Sequence, residues 1–497
     1  METVPAVVAH AAREFGREPA LVDPYRRRWN FAELHDETRA VSRALIASGI
    51  EPGDRVALWA PNSARWVLAA LGILGAGATL VPINTRFTGP EAADVLTRSN
   101  AAGLIVTGPF LGTDRLASLP PSALPPFVLP LPHWDAFLDR AGEVPATTAA
   151  ERAAAVRPDD LSDILFTSGT TGTSKGVMSA HRQSLGVARA WAEIGGVGVR
   201  DRYLVINPFF HSFGLKAGLL ACLTSGATIV PQAVFDVPRT LQLIDHEHIT
   251  VLPGPPTLYI GLLDHPARIG RSQGSLRLAV TGAATVPPAL IDRIRDELGV
   301  TTVLTAYGLT EAVVATMCRP GDDTRTVAAT CGRPAAGFEV RIADSDGEVL
   351  LRGPNVMLGY LDDPAATAAA VDPDGWLHTG DVGRLDDHGN LMITDRLKDM
   401  YICGGFNVYP AEVERVLAGL PGVAEAAVVG VPDERLGEVG RAYLVTRPGH
   451  ELDPGAVIAW CRERLAGYKA PRTVAIRAEL PHNASGKVLK YLLREGA

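Results

Sequence analysis

Ten consecutive residues, Thr167-Ser-Gly-Thr-Thr-Gly-Thr-Ser-Lys-Gly176, are drawn from only four residue types, and the rest of the chain is organised around them. They comprise three glycines, six hydroxyl residues and one lysine, and they follow the apolar run Ile164-Leu-Phe166, which reads as a buried strand. Two readings are open for such a loop. It can be a flexible surface turn. It can also wrap an anion. Glycine admits backbone angles that point several N–H groups inward, the hydroxyls add donors, and Lys175 adds charge with no acid among the ten. The uniformity of the run and the strand before it favour a triphosphate or pyrophosphate cradle. The Walker pattern G-x-x-x-x-G-K-[ST] is not met, because Lys175 precedes Gly176, so a P-loop nucleotidase is disfavoured.

At 497 residues the chain has room for about three folding units. With 47% hydrophobic and 21% charged residues it has an ordinary globular composition, and a net charge of -8 argues against nucleic acid as its main partner. Cys222, Cys318, Cys331, Cys403 and Cys461 are scattered without C-x-x-C spacing, which suggests reduced thiols and neither a disulfide frame nor a zinc site. The first residues lack the basic and apolar blocks of a signal peptide, so a cytoplasmic protein is expected. Residues 66–83 carry no charge and are long enough to suggest a membrane span. Gly72, Gly75, Gly77 and Pro82 interrupt them, and the pattern predicts a buried helix ending near Gly77, then a strand Thr79-Leu-Val81. No membrane span is expected.

Phe31 opens an amphipathic helix with Leu34, Val41, Leu45 and Ile46 on one side, and Arg55-Val-Ala-Leu-Trp59 and Ala102-Gly-Leu-Ile-Val106 read as strands. Helices alternating with strands predict a layered α/β domain. Residues 109–132 hold seven prolines and read as an extended surface excursion. After the phosphate loop a helix is expected over 181–192. Asn207-Pro-Phe-Phe-His-Ser-Phe-Gly214 follows; its aromatics suit a pocket wall, although His211 taken alone reads as a packed or capping histidine before a site residue. Further α/β units lead to Leu278-Ala-Val280 and Thr281-Gly-Ala-Ala-Thr285, where small residues let a flat ring approach the backbone. Val303-Leu-Thr305 runs into Ala306-Tyr-Gly-Leu-Thr-Glu311: Tyr307 can stack on a base, Thr310 can donate to a phosphate, and Glu311 can ligate Mg²⁺. From Phe338 the pattern turns to β, with turns at Asp344-Ser-Asp-Gly347 and Asp386-Asp-His-Gly389. A boundary is placed at Asp395, giving domains 1–395 and 396–497, the second a small α+β unit with a helix from Pro410.

Taken in order, these motifs resemble the adenylate-forming enzymes: acyl-CoA synthetases, luciferases and peptide-synthetase adenylation domains. The likeness runs from about residue 20 to residue 490. Within the superfamily the chain is similar to actinobacterial fatty-acid-type CoA ligases, and the runs Val251-Leu-Pro-Gly-Pro-Pro256, Met317-Cys-Arg-Pro320 and Met400-Tyr-Ile-Cys-Gly-Gly405 suggest their steroid-ring propanoate subgroup. The resemblance implies a large N-terminal domain of α/β subdomains with a β-rich subdomain, and a small mobile C-terminal domain. It implies that a carboxylic acid, ATP and coenzyme A react through an acyl-adenylate, with Mg²⁺ as cofactor. Thr167, Ser168, Gly169, Thr170, Thr171, Gly172 and Lys175 would hold phosphates. Gly282, Ala283, Ala284, Ala306, Tyr307 and Gly308 would hold adenine, and Asp381 the ribose. Arg396 would hold ribose or phosphate, Lys398 would be the hinge, and Gly404, Gly405 and Phe406 would line the CoA path. Lys487, after Ser485-Gly486, matches the catalytic lysine, with Thr310, Glu311 and a gating His211 completing the site. One departure stands out: Ala312-Val-Val-Ala315 after Glu311 is shorter than the family pattern, in a segment that lines the acyl pocket. Loading of an acyl carrier protein is the alternative acceptor chemistry, an idle nucleotide sensor is a further reading, and a homodimer is one open assembly state.

Overall fold

In the computed structural model, which describes all residues except 24–26, 168–173, 269–273, 283–285, 287, 346, 398, 404–405, 434, 466, 484–485 and 496–497, the uncharged stretch at 66–83 folds as expected. Ser63 caps the helix Ala64–Gly75, which is buried on every side, and the strand Thr79–Pro82 follows. Among the described residues no helix is long and apolar enough to cross a membrane. The amphipathic helix Phe31–Ala47 starts in a capping box, in which Asn30 accepts from Glu33 N and Glu33 accepts from Asn30 N. Its Val41 packs where a Cβ at Gly72 would lie only 2.2 Å from Val41 Cγ1, so the two helices meet at backbone distance.

Two large sheets share the main core. One has seven strands, in the order Gly359–Tyr360, Lys175–Ala180, Leu161–Thr167, Thr79–Pro82, Arg55–Trp59, Gly103–Val106, Phe127–Pro130. The other has nine, and its centre is a parallel run of Arg202–Val205, Val251–Pro253, Leu278–Gly282 and Thr302–Tyr307. A four-stranded antiparallel sheet at Glu339–Arg396 has its own core around Val349, Leu351 and Leu377. The last hundred residues form a five-stranded sheet with the helices Pro410–Ala418 and Pro454–Arg464, and bury a separate core. This is the layered α/β protein with a β-rich part and a small C-terminal α+β unit that the patterns predict.

The proline-rich excursion holds more sheet than expected, first a short hairpin of Pro109–Phe110 with Thr113–Asp114. Residues Phe127–Pro130 form the edge strand of the seven-stranded sheet, parallel to Gly103–Val106. Proline is tolerated there because an edge strand has one unpaired row of N–H positions. Strand Thr302–Tyr307 also runs further than expected, so Ala306 and Tyr307 are sheet residues. All five cysteines are unpaired.

Candidate active site

The glycine-and-hydroxyl loop is the connection of a β-hairpin. Strands Leu161–Thr167 and Lys175–Ala180 pair antiparallel with Thr167 opposite Lys175, which fixes both ends of the loop. Residues 168–173, among them the expected Ser168, Gly169, Thr170, Thr171 and Gly172, lie outside the described residues. At the loop's exit Arg98 Nη1 donates to the Ser174 carbonyl at 2.7 Å. Lys175 Nζ stands 4.6 Å from the centroid of the Tyr360 ring, a cation–π contact. The Tyr360 hydroxyl donates to Glu311 Oε1 at 2.7 Å. Burial first, and the Glu311 carboxylate second, push the Tyr360 phenol well above its usual range, so it stays a donor. The lysine and the acid singled out from sequence are therefore joined through a tyrosine that sequence reasoning missed. Tyr360 sits in a two-residue strand bonded to Val177 and Met178, and no local pattern marks it.

The adenosine side is built from strand ends. Leu278–Gly282 and Thr302–Tyr307 are parallel neighbours with Gly282 opposite Ala306, so their carboxyl ends open on the same edge, where open α/β sheets bind ligands. A Cβ on Gly282 would meet the Ala306 carbonyl at 2.5 Å, so only glycine fits. Ala283 and Ala284 lie outside the described residues. The Tyr307 hydroxyl donates to Asp381 Oδ2 at 2.6 Å, and Asp381 is almost fully buried. Asp381 is a strand residue opposite Arg396, which ends Leu391–Arg396, so the expected ribose ligands share one rung. Gly308 lies so near the chain beyond Glu311 that a Cβ would reach the Val313 carbonyl at 1.8 Å. Thr310 and Glu311 occupy the turn between. Val313 has φ of 62°, an unusual conformation for a β-branched residue, in the shortened segment.

The expected pocket wall folds back on itself. A Cβ at Gly214 would lie 2.2 Å from the Pro208 carbonyl. His211 caps the turn Ser212–Gly214, its Nδ1 accepting from Phe213 N at 3.2 Å, and burial lowers its pKa to about 4, so it is neutral. Phe209 stacks on Trp66 at 4.7 Å between centroids, and Phe213 meets Trp191 edge-on at 5.4 Å. Asn62, also missed, donates to the carbonyls of Val205 and Asn207 and accepts from Phe209 N.

Lys487 comes from the other end of the chain. Its N–H donates to Asn483 Oδ1 at 2.9 Å, and Asn483 N donates back to the Lys487 carbonyl at 2.8 Å. Gly486, at φ 82°, closes this turn against the large unit: a Cβ there would lie 3.6 Å from Thr257 Oγ1 and 3.7 Å from Pro255 Cγ. Pro255 follows strand Val251–Pro253, the neighbour of Leu278–Gly282, so the lysine's turn docks beside the same row of strand ends. Lys398, Gly404 and Gly405 lie outside the described residues, and Phe406 begins the strand Phe406–Val408.

Magnesium suits this site. Glu311 offers one hard carboxylate, held by the Tyr360 hydroxyl, whose ring also meets Lys175. One carboxylate plus substrate phosphates is the usual protein-side contribution for this ion.

The sequence profile of "AMP-binding enzyme" matches residues 8–361, and that of "AMP-binding enzyme C-terminal domain" matches residues 412–487. The chain is 59% identical over 505 residues, covering 100% of itself and 99% of its relative, to the 3-[(3aS,4S,7aS)-7a-methyl-1,5-dioxo-octahydro-1H-inden-4-yl]propanoyl:CoA ligase of Mycobacterium tuberculosis. It is 57% identical to the ligase of the same name from Rhodococcus jostii, over 99% of itself and 98% of the relative. Among solved structures, the anthranilate CoA ligase AuaEII in complex with anthranoyl-AMP superposes with a TM-score of 0.90 at 28% identity, covering 100% of this chain and 97% of the other.

Proposed function

This chain belongs to the AMP-binding enzyme family and is an ATP-dependent acid–CoA ligase, and we propose that the acid it activates is a propanoate carried on a fused-ring steroid remnant. The observation that carries the proposal is the identity of 57–59%, end to end, with two ligases whose names specify that acid. Phe209 is buried against Trp66, and the partly exposed Phe210 and Phe213 leave apolar surface that suits a bulky alicyclic group.

The first half-reaction is a problem of charge. A carboxylate must attack the α-phosphorus of a polyanion and expel pyrophosphate, so like charges have to be neutralised where they meet. Lys175 and the loop donors face the β- and γ-phosphates. Glu311 would hold Mg²⁺, which supplies further charge neutralisation, and Tyr360 orients the carboxylate that holds it. Thr310 donates to phosphate. The purine lies on the Gly282–Ala306 shelf beside Ala283, Ala284 and Gly308. Tyr307 both faces the base and orients Asp381, which accepts from the ribose hydroxyls with Arg396 alongside. Lys487, cationic at neutral pH with a reference value near ~10.4, bridges the attacking carboxylate and the α-phosphate. His211, neutral by burial, gates the acyl end.

In the second half-reaction the CoA thiolate attacks the acyl carbon and AMP leaves. The C-terminal unit turns about Lys398, withdraws Lys487 and brings Gly404, Gly405 and Phe406 to the thiol path. Unpaired cysteines suit a reducing compartment and support a cytoplasmic enzyme. A homodimer is the assembly to test by light scattering. The substrate test is AMP release, with CoA or an acyl carrier protein as acceptor, across the dioxo-indanyl propanoate, octanoate and ferulate. The indanyl acid with CoA should lead in kcat/KM by roughly a hundredfold or more, since poorly fitting acids leave the wall unfilled. Preference for octanoate or ferulate would refute the assignment.

A further inference from the structure

One charged pair lies deep in the main core, and no step above uses it. Lys216 and Asp163 have side chains only 1% and 3% exposed, with Nζ 2.9 Å from Oδ1. Lys216 also donates to Ser179 Oγ at 2.8 Å, and Asp163 Oδ2 accepts from Ser162 Oγ at 2.6 Å and Ser184 Oγ at 2.8 Å. A buried ion pair adds little stability over an apolar pair of the same shape, because desolvation cancels most of the attraction. What it adds is direction.

Both ends of this link lead to the site. Asp163 and Ser179 face each other across the hairpin Leu161–Thr167 and Lys175–Ala180, whose tip is the phosphate loop. Each lies four residue steps along its strand from Thr167 or Lys175, about 13 Å at the usual strand rise. Lys216 lies in Leu215–Leu220, a π-helical turn that continues directly from the His211-Ser-Phe-Gly214 wall. Leu215 N donates to the His211 carbonyl, and the Tyr203 hydroxyl holds the Ala217 carbonyl of the π-turn at 2.6 Å. Such turns are rare, and they often re-aim residues at functional sites.

We propose that the Lys216–Asp163–Ser179 cluster is a positioning element that sets the acyl-pocket wall in register with the phosphate-loop hairpin, so that carboxylate and α-phosphate meet in line. The proposal rests on reading residues 207–214 as the pocket wall.

The test uses the full chain and the dioxo-indanyl propanoate, or octanoate should the parent enzyme prefer it, with three variants. Lys216→Met/Asp163→Asn removes both charges with little change in volume. Ser179→Ala removes one acceptor. Phe213→Ala reports on the wall itself. The double variant is expected to keep its melting temperature and its affinity for ATP alone, while KM for the acid rises and kcat for adenylation falls, each by about tenfold or more, because an ångström of misplacement can cost up to about a hundredfold. A purely structural pair would lower active fraction and kcat with KM unmoved. The proposal is overturned if the folded double variant keeps acid KM within about twofold, or loses kcat alone. If the double variant does not fold, Ser179→Ala decides by the same criteria. Should Phe213→Ala leave acid KM unchanged, the wall reading itself fails and the proposal falls with it. A moved Phe213→Ala with an unmoved pair sinks the positioning role only.

Discussion

Replacing Tyr360 by phenylalanine separates two contacts that meet on one ring. The variant keeps the face 4.6 Å from Lys175 Nζ and deletes the 2.7 Å hydrogen bond to Glu311. A hydrogen bond to a charged group contributes about 1.5–3 kcal/mol. If that bond holds Glu311 in the geometry the nucleotide complex needs, Tyr360→Phe should lower kcat/KM for Mg·ATP by roughly 10- to 150-fold, since each ~1.4 kcal/mol is a factor of ten. Tyr360→Ala also deletes the cation–π contact, which adds about 0.5–2 kcal/mol. The two variants should therefore form a series, with alanine a further 2- to 30-fold worse, on the same scale of about 1.4 kcal/mol per decade. Pyrophosphate exchange over a Mg²⁺ titration is the assay. The phenylalanine variant should need more Mg²⁺ for half-maximal rate, and excess Mg²⁺ should restore part of the loss. A phenylalanine variant within twofold of the parent would show that the hydroxyl does not position Glu311, and equal losses in both variants would show that the ring face does nothing for Lys175.

Three further outcomes are expected. Lys487→Ala should lower adenylation by at least about 10²-fold yet spare thiolysis of supplied acyl-AMP, as read by single-turnover assays; equal loss in both steps would remove its assigned role. Lys398→Pro should impair thioester formation while pyrophosphate exchange persists, and a joint fall would dismiss the hinge. Stability should drop as pH falls from 6.5 toward 4, because burial lowers the His181 pKa to about 4 and the unfolded chain takes up that proton first. The His181 contribution is complete above pH 6.5 and reaches a loss of about 3 kcal/mol by pH 4, followed as a urea midpoint, and His211, lowered to about 4 in the same way, adds a drop in that window that remains when His181 is replaced. His181→Gln, which can still accept from Val4 N, should make the curve shallower; an unchanged slope would clear His181 of the effect.

Residues 66–83 show how local pattern can decide an element. Their hydrophobicity demands burial and their glycines end the helix, and both are properties of neighbours in the chain. The same holds for the capping box at Asn30 and for the strands behind each motif, whose apolar runs carry their own period. The family was legible too, because the ordered motifs from the glycine-and-hydroxyl loop to the C-terminal lysine resemble those of the AMP-binding enzymes whose profiles match residues 8–361 and 412–487. The edge strand Phe127–Pro130 was hidden because proline's usual meaning is reversed at a sheet edge, and only a partner strand can say where the edge lies. Tyr360, Asn62 and the Lys216–Asp163 pair carry no sequence signal of their role for the same reason. Each acts through a partner 49 or more residues away, and no local period encodes that contact. The chain alone thus determined which chemistry was available and which elements would present it, because those depend on side-chain type and short-range spacing. The tertiary structure decided which groups meet, because hydrogen bonds and buried charges are set by distances of a few ångströms that exist only after the sheets have packed.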